Sequence, residues 1–211
     1  MDTAEQIINF LARWGHGLFG ITWIGMLYYF NFIQGAYFKE ASPEGLADAK
    51  AKLAPRALWW FRWGAMFTFL TGLILIHAYY QRIIFNDFII LGIVLGTLMA
   101  ANVWMVIWPA QKVALGIVDG GDKAAAAAKA LLASRTNTLF SAPMLFGMFA
   151  SGHYPVSVEY GGLGLYLGLA IILLLELNGL KGKMGPITSV RGVIVSSLVL
   201  TGVLACLSHL L

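Results

Sequence analysis

Apolar residues in this chain come in long blocks, not in the alternation of a half-buried strand or the one-sided stripe of a soluble helix. Six blocks reach or approach the roughly 20 mostly apolar residues that a membrane-spanning helix needs: 8–33, 57–80, 88–108, 137–151, 161–180 and 190–211. The fourth is short by itself. An alanine-rich run over 122–135 precedes it, and Asp122 is a suitable N-cap. The pattern predicts that the two form one long helix, bent at Pro143. Between the first two blocks, 42–56 has Pro43 near its start and then Ala, Leu and Lys at helical spacing, which predicts a short interfacial helix. The first block is too long for a cleavable signal peptide and carries Arg13 and His16 in its first third. The expected fold is all-α: a polytopic helical membrane protein of about six transmembrane helices, with 1–211 as a single bundle domain.

Composition agrees. The chain is 59% hydrophobic and 11% charged, with mean hydropathy +0.77, whereas soluble chains run at about 45–50% apolar and about 25% charged. Its 24 Gly, 7 Trp and 8 Tyr suit packed helices with interfacial aromatics. A single cysteine, Cys206, excludes an internal disulfide, a Cys-based zinc site and a C-x-x-C-H haem attachment. The chain has no G-x-x-x-x-G-K-[ST], H-E-x-x-H or G-x-S-x-G, so nucleotide-driven and hydrolase functions have no support.

The net charge of +4 is a topology signal and gives no reason to expect nucleic acid. Of the 14 Lys and Arg, only Arg13 and Arg82 fall on one side of the expected spans. The other side collects Lys39, Lys50, Lys52, Arg56 and Arg62, then Lys112, Lys123, Lys129 and Arg135, then Lys181, Lys183 and Arg191. Basic loops stay in the cytoplasm. Both termini are therefore expected outside, in the bacterial inner membrane.

With that orientation all four histidines fall in the outer half. His16 is expected about 12 Å below the outer end of the first span and His77 about 5 Å below that of the second, at 1.5 Å per residue. His153 follows the fourth span and His209 ends the sixth. Ionisable groups inside a bilayer are costly and mark functional positions. Two neutral imidazoles on neighbouring helices are the usual protein contribution to haem b, one nitrogen to each face of the iron. His16 and His77 are the expected pair, with His153 or His209 able to replace either. Glycines around His16 would leave room for a porphyrin, and Arg13 and Arg82 would bind its propionates. Each of these residues also has a plainer role open to it: an interhelical hydrogen bond, a snorkelling anchor, a packing contact.

Toward the inner side stand Asn31, Asn102, Asn137, Glu176 and Asn178. Glu176 could relay a proton or bind a quinone head group. It could equally pair with Arg62, Arg135 or Lys183.

Arg-Trp-Gly-His at 13–16, continuing through Gly-Ile-Thr-Trp-Ile-Gly and Tyr-Tyr-Phe-Asn-Phe over 20–32, resembles the membrane domain of the cytochrome c-coupled urate oxidase (urate hydroxylase) family. So do Asn-Val-Trp…Ile-Trp-Pro-Ala-Gln-Lys at 102–112 and Ser-Arg-Thr-Asn-Thr-Leu-Phe-Ser-Ala-Pro-Met-Leu-Phe…His-Tyr-Pro at 134–155. In that family a multi-helix membrane domain precedes a c-type cytochrome domain. The resemblance implies a short form without that domain, passing electrons to a separate periplasmic cytochrome. A different reading stays open: an accessory or structural subunit of a larger respiratory or photosynthetic membrane complex, without catalysis of its own.

Overall fold

Residues 3–80, 85–156 and 160–211 are described by the structure, a computed structural model. They are helical almost throughout, and no strand occurs among them. Within the single domain expected from length, they gather into two compact units.

The first unit lies within Met1–Ile84 and includes Leu115–Val118. Helix α1 (Thr3–Tyr28) runs into a π-helical segment, Tyr29–Gln34, and then α2 (Gly35–Glu40). Ser42 caps α3 (Pro43–Asp48) by accepting from Gly45 N at 3.2 Å, with proline at the first helical position. Instead of ending as a separate interfacial helix, α3 continues through a π-helical segment, Ala49–Leu53, into α4 (Ala54–Tyr80). The helices α1 and α4 pack side by side. Glycine sets how closely: a Cβ at Gly64 would stand 3.1 Å from Trp23 N, and one at Gly72 would stand 3.2 Å from His16 Cε1.

The second unit comprises Phe85–Ala114 and Asp119–Leu211. Asn86 caps α5 (Asp87–Ala101), which passes through a π-helical segment, Asn102–Ile107, into α6 (Trp108–Ala114). Asp122 caps α7 as its sequence position predicts, accepting from Ala124 N at 2.8 Å and Ala125 N at 3.1 Å. The helix runs unbroken from Lys123 to His153 through Pro143. It is the hub of this unit, packing on α5, α6, α8 (Leu163–Lys181) and α9 (Val190–Leu210). The crossing of α5 and α7 is a glycine contact, where a Cβ at Gly147 would come within 2.6 Å of the Phe88 carbonyl.

Among the described residues, four helices are long and apolar enough to cross a membrane: Pro43–His77, Asp87–Ala114, Leu163–Lys181 and Val190–Leu210. They coincide with four of the six expected spans. The expected first and fourth spans form the long helices α1 and α7, but both are more polar. In α7 the reason is visible, since Arg135, Thr136, Asn137, Thr138 and Ser141 are all buried against protein. A helix enclosed by four others does not need an apolar surface.

Candidate functional site

The seam between α1 and α4 fixes the chemistry of His16. Its Nδ1 lies 2.9 Å from the Thr68 carbonyl oxygen and 3.3 Å from Thr71 Oγ1. A carbonyl only accepts, so Nδ1 carries the proton, and in the neutral ring Nε2 keeps a free lone pair. Thr71 donates its own hydroxyl to the Phe67 carbonyl at 2.6 Å, leaving its oxygen to accept from the ring. An imidazole anchored through Nδ1–H to a backbone carbonyl, with Nε2 available, is the usual second-shell arrangement of a metal-ligating histidine. The contact with Thr68 thus leaves His16 Nε2 as a nitrogen able to meet a metal.

His77 is not brought to it. Thr68, which faces α1, and His77 are nine residues apart, two and a half helical turns, so the two face opposite sides of α4. His77 continues the exposed stripe of Phe67, Leu70 and Ile74. Two imidazoles on either side of one helix do not fit the two faces of one iron. The glycines facing the seam are filled by the opposing helix, with a Cβ at Gly15 meeting Thr71 at 3.6 Å and one at Gly72 meeting His16. They do not hold a porphyrin-sized gap; of the glycines around His16 (Gly15, Gly17, Gly20 and Gly25), Gly17 and Gly25 face open space. Arg13 is exposed one turn before His16, and Arg82 lies outside the described residues.

His153 and His209 belong to the second unit and both are exposed. The His153 ring stands 6.5 Å from Phe149, and His209 packs edge-on to Tyr154 at 5.8 Å, centroid to centroid. No group of three or more His, Cys, Asp or Glu among the described residues is placed to hold a metal ion.

Of the inner polar set, three members meet in the second unit. Asn102 donates through Nδ2 to Asn137 Oδ1 and to Glu176 Oε2, each at 3.0 Å, and Asn137 donates to the Met99 carbonyl at 2.9 Å. All three are buried. Asn102 opens the π-helical segment, an irregularity that recurs at functional positions inside helices. The expected pairing of Glu176 with Arg62, Arg135 or Lys183 is replaced by this amide contact, and no cation lies within ion-pair distance of Glu176 among the described residues. Asn178 instead closes the turn after α8, donating to the Lys183 carbonyl at 3.0 Å. Asn31 sits in the first unit, donating to Leu27 O at 2.9 Å.

Two buried charged residues escaped the sequence reading. Asp87 is 2% exposed and accepts from Gly161 N at 2.9 Å; the signal for it was Asn-Asp directly before an apolar run. Arg135 is 8% exposed, and its Nε and Nη1 have no hydrogen-bond partner among the described residues. Its position in the sequence marked it as one more basic flank and as a possible partner of Glu176, not as a buried guanidinium.

The second unit is also where the chain meets a known family. Residues 81–178 match the urate oxidase N-terminal family. The match runs from just before α5 through most of α8, so this part of the chain is similar to a urate oxidase N-terminal domain. It takes in Asn102, Arg135, Asn137 and Glu176, whereas Arg13, His16 and His77 lie outside it. No curated protein and no solved structure matches the chain.

Proposed function

We propose that this chain is a urate oxidase-like membrane protein and a haem-b-binding oxidoreductase or electron-transfer protein, in which His16 would ligate the haem. The observation that carries the reading is the Nδ1–H···O=C bond from His16 to Thr68, which fixes the tautomer that leaves Nε2 basic. Thr71 adds a second acceptor and holds the ring plane against α4. Arg13, one turn away, is placed to meet a propionate. When bound, the haem supplies a one-electron carrier. His77 does not fill its second axial position.

In this reading the basic loops face the cytoplasm of a bacterial inner membrane, and electrons leave outward to a separate c-type cytochrome. The test is the colour of the purified full chain. A Soret band of the b type that is lost in His16→Ala supports the proposal. A colourless protein, or a spectrum unchanged by His16→Ala, ends it and favours the accessory subunit.

A further inference from the structure

The contacts of α7 place four cations in one layer of the second unit. A Cβ at Gly179 would lie 2.5 Å from Thr136 Oγ1, so α8 crosses α7 at that level and Lys181 follows two residues on. Ser197 donates to the Leu139 carbonyl at 2.8 Å, which registers α9 against α7. Arg135 precedes Leu139 by four residues and Arg191 precedes Ser197 by six, so the two stand within about 3 Å of the same height, at 1.5 Å per residue. Lys183 follows on the turn after α8. Lys181, Lys183 and Arg191 are exposed, and Arg135 is buried.

Glu176, on α8, is committed to Asn102 and is not within ion-pair distance of Arg135. Asp122 is committed to capping α7. Arg135 thus keeps two enclosed guanidinium nitrogens, Nε and Nη1, without an acceptor among the described residues. Leaving such donors unmet is expensive, and a buried guanidinium normally has an anion. The layer lies where α8 ends and α9 begins, the depth at which lipid phosphates sit, and basic pockets between helices at that depth take anionic headgroups.

We propose that Arg135 is the anchor of a phosphate-binding site, occupied by the headgroup of an anionic phospholipid, with Lys181, Lys183 and Arg191 as its exposed rim. Guanidinium donors to phosphate are charge-assisted, so removing them should weaken binding by about tenfold or more.

The test uses the full chain reconstituted in phosphatidylcholine nanodiscs containing a minor fraction of phosphatidylglycerol, then released for native mass spectrometry. The wild type should retain phosphatidylglycerol. Arg135→Gln should lose it at least about tenfold, while Glu44→Gln, in the first unit, should match the wild type. Retention that inorganic phosphate cannot displace identifies the lipid; displacement by millimolar phosphate identifies a soluble phosphate at the same site. If Arg135→Gln does not fold, Arg135→Lys, which keeps the charge and loses the planar donors, should retain several-fold less. Equal retention by wild type and either folded variant overturns the proposal. So does a wild type that retains no phosphatidylglycerol and is not stabilised by phosphate.

Discussion

Asn102 and Glu176 are 74 residues apart in sequence and joined by a 3.0 Å hydrogen bond inside the second unit. The amide that reaches Glu176 also reaches Asn137. Each contact satisfies an oxygen that has little access to water, and Asn102 opens a π-helical segment of its helix.

Replacing Asn102 by Leu should therefore be costly, since it strands the Asn137 and Glu176 oxygens together. The expected loss is about 1–3 kcal/mol for each buried group left unmet, read as a lower unfolding midpoint in detergent. Glu176→Gln keeps an acceptor for Asn102 and should unfold near the wild-type midpoint, with any haem and turnover retained. Loss of turnover with haem intact would assign Glu176 a proton or quinone role.

Glycines at helix crossings and glycines on open faces should respond oppositely to a single added methyl. Gly147→Ala pushes a Cβ toward the Phe88 carbonyl and should destabilise by about 1–3 kcal/mol, the usual cost of overpacking. A Cβ added at Gly17 would meet nothing within 4 Å beyond its own helix backbone among the described residues. Gly17→Ala should be neutral, or stabilising by up to about 1 kcal/mol through helix propensity. Equal effects from the two would break the packing argument.

For the haem reading, the variants separate by helix face. His16→Ala should remove the axial ligand and convert or abolish the spectrum. His77→Ala, on the far side of α4, and His209→Ala, beside Tyr154, should leave it nearly unchanged. Arg13→Ala should keep the haem and lower its reduction potential, because removing positive charge beside a propionate favours the oxidised state, a shift that redox titration reads directly. A spectrum that survives His16→Ala and fails in His77→Ala would reverse the assignment.

Orientation is open to labelling once the exposed Cys206 is replaced by Ser. Cysteines at Lys50, Lys123 and Lys183 should resist impermeant thiol reagents in intact cells, and one at Val156 should react. The opposite pattern would invert the expected topology and move every histidine to the cytoplasmic side.

Four of the six expected spans were legible because hydrocarbon demands long apolar runs, and the cap at Asp122 because its residue type is favoured at helix starts. What the sequence hid was rotation about the helix axis. Counting depth placed His16 and His77 near one another, yet depth carries no azimuth, and nine residues along α4 turn a side chain to the far face. Arg135 illustrates the same gap. Its charge was counted for topology, but its burial depends on which helices surround α7, and only the crossings at Gly179 and Ser197 reveal that. Glu176 was visible as a lone acid, while its partner was an amide from a helix 74 residues earlier.

The enclosure of α7 bears on how the protein is made. Arg135, Thr136, Asn137, Thr138 and Ser141 give this helix a poor claim on the hydrocarbon by itself, since polar groups there are charged against insertion. Its shelter comes from α5, already synthesised, and from α8 and α9, which emerge later and bring Glu176 to Asn102 and Ser197 to the Leu139 carbonyl. The helix is therefore committed to the bilayer only when its younger neighbours arrive. Until then, a nascent chain that stops short of α8 presents its most polar helix to quality control.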